Sequence, residues 1–108
     1  MAGMLYLVPT PIGNLGDISK RARETLESAD FIAAEDTRVT LKLLNHLELK
    51  KPLVSYYEHN KSFKGEKILD RILAGETCAL VSDAGSPAIS DPGEDLVKQC
   101  AAAGIPVC

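Results

Sequence analysis

The chain has 108 residues, 45% hydrophobic and 25% charged, enough for one domain with a real core. That balance excludes disordered and collagen-like classes, and no apolar run approaches the roughly 20 residues that cross a bilayer. The formal net charge is -3, without the basic excess expected of a free-standing nucleic-acid binder.

Charge is unevenly spread. Eleven of the twelve Lys and Arg residues lie between Lys20 and Arg71, against nine acids, and outside that window Lys98 faces six acids. Any RNA contact must therefore use a local patch or a part of the protein beyond this chain. Cys78, Cys100 and Cys108 form no CxxC pair. Two of them sit inside apolar patterns, which predicts reduced core thiols. No metal-ligand spacing is present, so no metal site is predicted. Met1 to Val8 has neither a basic n-region nor a small-residue cleavage site. These features predict a cytoplasmic protein without a secretory signal.

Along the chain, short apolar runs alternate with amphipathic stretches. The runs are Met4–Val8, Phe31–Ala34, Leu53–Tyr56, Cys78–Val81 and Ile105–Val107. They are nearly continuous, as strands covered on both faces should be. Ile18, Ala22, Leu26 and Ala29 share one face of a first helix, and Leu43, Leu44 and Leu47 mark a second. Ile68, Leu69, Ile72 and Leu73 mark a third, and Leu96, Val97, Cys100 and Ala101 a fourth. Gly75 and Gly104 stand where helix C-caps belong. The order predicts an α/β fold: a five-stranded, mostly parallel, doubly wound sheet with helices on both faces. Because the chain stops within the fifth run, residues 1–108 read as an excised N-terminal domain.

Three segments follow strands and carry candidate chemistry. The first is Val8-Pro9-Thr10-Pro11-Ile12-Gly13-Asn14-Leu15-Gly16-Asp17. Open α/β sheets bind ligands at the carboxyl ends of strands, and Gly13 and Gly16 permit close backbone approach. Asp17 can cap the next helix. The two prolines remove N–H donors that a phosphate cradle would use, which argues against a dinucleotide or P-loop site. The second segment is Glu35-Asp36-Thr37-Arg38. Asp36 or Thr37 can serve as a helix N-cap; alternatively Glu35 and Asp36 stand at a cleft rim, beside a ribose or a proton to be abstracted. The third is Val81-Ser82-Asp83-Ala84-Gly85-Ser86-Pro87-Ala88-Ile89-Ser90-Asp91-Pro92-Gly93. Its small residues suit a backbone wrapped closely around a ligand, with Asp83 placed to accept from an ammonium or hydroxyl. Asp91 with Pro92 reads as N-cap plus first helical turn.

In order and spacing, LYLVPTPIGNLGDIS, AAEDTR and LVSDAGSPAISDPG resemble the ribosomal RNA small subunit methyltransferase I family, within the tetrapyrrole or precorrin-type methylase superfamily. The resemblance runs across essentially the whole chain. It implies a two-domain enzyme that holds S-adenosylmethionine between an N-terminal and a C-terminal α/β domain. It further implies 2′-O-methylation of a cytidine ribose in the decoding region of 16S rRNA, within the small ribosomal subunit, and a homodimer. By the same resemblance Ile12 and Gly13 lie at the cofactor cleft. The loop Asp83, Ala84, Gly85, Ser86 and Pro87 corresponds to the superfamily's Gly-Asp-Pro segment beside the cofactor. Pro9 and Pro11 depart from the glycine-rich first loop of tetrapyrrole methylases, which argues against a porphyrinoid substrate.

Glu35, Asp36 and Asp83 are the candidate general bases for activating a ribose hydroxyl, and Arg38 the candidate substrate-binding residue. His46 reads as an exposed helix residue. Tyr56, Tyr57 and His59 read first as packing at a strand end, with base stacking as the alternative. Lys61, Lys64 and Lys67 read as a solvated helix face, with phosphate contact as the alternative. Two rival classes remain: a methylase of a small porphyrinoid, and a non-enzymatic α/β binding module.

Overall fold

A computed structural model describes residues 3–10, 15–82 and 91–108, with the side chains of residues 15 and 91 outside that set. Four parallel strands form the sheet: β1 (Leu5–Pro9), β2 (Phe31–Ala34), β3 (Leu53–Ser55) and β4 (Cys78–Ser82). Their spatial order is β1-β4-β2-β3. The helices are α1 (Lys20–Ser28), α2 (Thr37–His46), α3 (Lys61–Leu73) and α4 (Asp91–Ala102), with a 3-10 turn at Leu15–Asp17.

The apolar runs explain the layering. All four residues of β2 and the first four of β4 are buried, as a sheet covered on both faces requires. Alternate residues then serve opposite faces. Val8, Ile32, Ala34, Ala79 and Val81 pack with Ala22 and Leu26 of α1 and Leu43 and Leu44 of α2. Leu5, Phe31, Ala33, Cys78 and Leu80 pack with Ile68 and Ile72 of α3 and Leu96 and Cys100 of α4. Thus α1 and α2 cover one face, α3 and α4 the other. The buried thiols of Cys78 and Cys100 are free, and burial pushes Cys78 up to about 12. Both are small core residues with little thiolate character.

The predicted fifth strand is corrected to an isolated parallel bridge between Val107 and Leu5. Pro106 interrupts the run and has no N–H for a ladder. Leu5 N–H donates to the Pro106 carbonyl at 3.0 Å, and Leu7 N–H to that of Cys108 at 2.9 Å. The outer edge of β1 is therefore occupied, though by less than a full strand. Two helix assignments also change. Leu73, read as core, is 45% exposed. Asp17 lies in the 3-10 turn, and Ser19 caps α1 by accepting from Ala22 N–H at 3.1 Å.

Both predicted glycine caps form at positive φ, 110° for Gly75 and 78° for Gly104. In each case the N–H groups at and after the glycine return to carbonyls of the last turn, closing a Schellman motif. Glu48 closes α2 the same way at φ 58°, where a β-carbon is costly. Replacing Glu48 by glycine is expected to raise stability by about 0.5–1 kcal/mol, after the added unfolded-chain entropy. Urea denaturation checks this, and a decrease would contradict it. No helix among the described residues is long and apolar enough to cross a membrane.

Candidate active-site edge

Because every strand is parallel, the segments that follow them emerge at one edge of the sheet. Pro9 pairs with Ser82, while Ala34 pairs with both Val81 and Ser55. One residue further on, Glu35 therefore stands level with Ser82 and Tyr56. The chain leaves β1 and β2 toward one face and β3 and β4 toward the other, so neighbouring exits diverge. Divergent exits of this kind mark the carboxyl edge as the usual ligand position in open α/β sheets.

Thr10 fastens the first and third segments together. Its backbone N–H and its Oγ1 both donate to the Ser82 carbonyl, at 3.0 and 2.8 Å. The residue is 8% exposed, so this doubled contact satisfies polar atoms that water scarcely reaches. Sequence reasoning missed Thr10, whose only local signal is its position between two prolines at a strand end. The predicted cofactor-cleft residues Ile12, Gly13, Asp83, Ala84, Gly85, Ser86 and Pro87 lie outside the described residues. Their anchor points, Thr10 and Ser82, are in direct contact.

The second segment resolves into distinct jobs. Asp36 is the N-cap of α2 and accepts from Arg38 N–H at 3.0 Å. The Arg38 side chain also donates to the same oxygen at 3.4 Å, and its hydrogen bond holds the Asp36 carboxyl below its ordinary range. Arg38 itself extends into solvent, its side chain 90% exposed. Thr40 is buried and its hydroxyl donates to the Asp36 carbonyl at 3.3 Å. Glu35 precedes this cap and is exposed at the edge.

On the face covered by α3 and α4, Tyr56 fixes the start of α4. It is fully buried, and its hydroxyl donates to the Pro92 carbonyl at 2.7 Å. Burial pushes the phenol up to about 12. Lys61 adds a second tie, 2.6 Å from Asp95 and 3.2 Å from Glu58. Hydrogen bonding to Asp95 raises the Lys61 ammonium and lowers the Asp95 carboxyl. Lys61 is thus a bridge between α3 and α4, correcting its assignment to a solvated face. Lys64 is half-buried and Lys67 exposed, as are His46 and His59. Of the tyrosines, Tyr56 packs at the strand end as predicted and Tyr57 does not, being 41% exposed. No group of three metal-ligating side chains occurs among the described residues.

Comparison with known proteins extends this geometry. The profile of the tetrapyrrole (corrin/porphyrin) methylases matches residues 4–108. The chain belongs to that family. Relatives named ribosomal RNA small subunit methyltransferase I are 55% identical in Synechocystis and 60% in Bacillus subtilis. These matches cover 97% and 89% of this chain but only 38% and 33% of the relatives. The chain therefore spans about a third of their length. Among solved structures, a uroporphyrin III C-methyl transferase from Thermus thermophilus has TM-score 0.74 at 18% identity. That match covers 97% of this chain and 46% of the other. A diphthine synthase has TM-score 0.76 at 14% identity, covering 97% and 42%. At such identities the two share the tetrapyrrole methylase fold, and the sequence relatives carry the specific resemblance.

Proposed function

We propose that residues 1–108 are the N-terminal domain of a two-domain S-adenosylmethionine-dependent methyltransferase acting on small-subunit ribosomal RNA. On this reading the product is a 2′-O-methylated cytidine in the decoding region of 16S rRNA, made in the cytoplasm by a homodimer. The observation that carries the reading is the carboxyl edge. There Thr10 joins the first and third segments, and Glu35 stands one strand away from Ser82. Relatives of 55% and 60% identity bearing the rRNA methyltransferase name favour RNA over a porphyrinoid.

The residues at this edge suit such a cofactor. By their chemistry, the small residues Gly13, Ala84, Gly85 and Ser86 would let backbone approach the adenosyl group, and Asp83 would accept from the ammonium of the cofactor's methionine part. When bound, S-adenosylmethionine supplies an electrophilic methyl group on a sulfonium. The chain's part is then to align a hydroxyl, exclude water and take a proton. Asp36 is poorly suited to the last task, because capping α2 and bonding Arg38 hold it ionised and weakly basic. Glu35, exposed one residue earlier, is the better general base, and Arg38, 90% exposed where it pairs with Asp36, lies within reach of the substrate backbone.

The cofactor assignment has a direct test in the full-length protein. Asp83→Ala is expected to weaken S-adenosylmethionine binding by about 1.5–3 kcal/mol, the range of a charge-assisted hydrogen bond. Calorimetry that finds unchanged affinity in a folded variant rules the role out.

A further inference from the structure

We infer that Tyr57 and Phe63 form a stacking surface for unpaired nucleobases flanking the methylated nucleotide, with Lys64 and Lys67 meeting the adjoining phosphates. This inference rests on the proposed RNA substrate and deepens it. Tyr57 and Phe63 are 41% and 61% exposed, leaving two aromatic side chains in water that packing would ordinarily bury. Tyr57 is not on a loose tether. Its N–H donates to Asn60 Oδ1 at 2.7 Å, and Asn60 N–H returns to the Tyr57 carbonyl at 3.1 Å. Asn60 Nδ2 also donates to the Ser55 carbonyl at 2.9 Å, which ties the turn to the end of β3. The backbone carrying the ring is therefore fixed before any partner arrives, which lowers the ordering cost of binding.

Position and charge point to RNA rather than to another apolar surface. The turn follows β3 at the same sheet edge as Glu35, and Phe63 lies in the first turn of α3 directly after it. His59 stands edge-on to Tyr57, with ring centroids 6.2 Å apart. Lys67 Nζ lies over the Phe63 ring, 4.3 Å from its centre, so the cation covers one face of the ring and a base would stack on the other. Lys61 is held by Asp95 and Glu58, while among the described residues no carboxylate pairs with Lys64 or Lys67. The acids of this stretch are Glu58, engaged with Lys61, and exposed Glu66. Rings that accept any base, beside lysines that accept phosphate, are the usual equipment for single-stranded RNA.

The test uses the full-length protein and a short single-stranded oligoribonucleotide. Tyr57→Ala and Phe63→Ala are each expected to weaken its binding about tenfold, whereas Tyr57→Phe stays near wild type. Lys64→Ala with Lys67→Ala should reduce the salt dependence of binding. S-adenosylmethionine affinity is measured alongside and should not change in any variant. A wild-type protein that binds cofactor and methylates RNA, while both alanine variants bind the oligoribonucleotide normally, overturns the stacking surface and leaves the proposed function intact. Failure of the wild-type protein to bind the oligoribonucleotide overturns the stacking surface, and methyl transfer to 30S subunits decides the proposed function separately. A change of oligomeric state in the alanine variants with RNA affinity unchanged assigns the patch to self-association and likewise overturns the inference.

Discussion

Replacing Tyr56 by alanine is expected to destabilise the fold by about 4 kcal/mol, the middle of the range for emptying a large aromatic site. The side chain is fully buried in the layer beneath α3 and α4, so little relaxation can fill the space. Its loss also strips the Pro92 carbonyl of a 2.7 Å donor at the start of α4, leaving a polar atom to be satisfied elsewhere. Against a typical total of about 5–15 kcal/mol, that is a large share of stability. Tyr56→Phe keeps the ring and is expected to cost only about 1–1.5 kcal/mol. The phenol's behaviour gives a second readout. Burial pushes its pKa up to about 12 from an ordinary 10.0. A raised value contributes stability that is fully present below pH 10 and is lost as pH rises through 12. Tyr56→Phe should remove that part of the alkaline loss, leaving the part due to Cys78. Urea titrations near neutrality and at alkaline pH measure both effects; a near-neutral Tyr56→Ala would contradict the structural role.

Glu35→Gln in the full-length protein is expected to lower kcat by a factor on the order of 10²–10⁴, the range for losing a general base. The change is nearly isosteric and falls at an exposed edge position, so folding and cofactor affinity should be close to wild type. Asp36→Asn is expected to behave differently, because that side chain already accepts from Arg38 N–H and caps α2. Its amide oxygen can still cap the helix, so activity should fall far less. Single-turnover methyl transfer separates the two. Equal losses for both variants, or an unchanged rate for Glu35→Gln, would contradict the assignment of the base.

The fold was legible where hydrophobic period and punctuation agreed. Continuous apolar runs at Phe31–Ala34 and Cys78–Val81 could only be strands covered on both faces, and Gly75 and Gly104 marked helix ends through their positive φ. The fifth run was harder, since Pro106 weakens pairing in a way composition alone does not weigh. Ser19 rather than Asp17 caps α1 because the intervening 3-10 turn carries Asp17 off the helix. At the site, the sequence brought the three segments to one edge but could not apportion roles within them. Asp36 and Glu35 are adjacent carboxylates, and only cap geometry distinguishes them. Lys61 and Asp95 are distant in sequence and meet through α3–α4 packing, while Tyr56 is buried in the layer beneath α3 and α4 and Tyr57 is exposed in the turn that Asn60 closes.

On the proposed function, this sheet edge serves methyl transfer to a ribose in small-subunit RNA. The most direct measurement supplies the full-length protein with S-adenosylmethionine labelled in its methyl group, and with 30S subunits or a precorrin-type porphyrinoid as acceptor. The recovered RNA is hydrolysed in alkali, which spares the linkage following a 2′-O-methylated nucleotide. Label is expected in the 16S RNA, recovered in an alkali-stable dinucleotide whose 5′ nucleoside is cytidine. Label transferred to the porphyrinoid, or to an RNA base with no alkali-stable product, would contradict it.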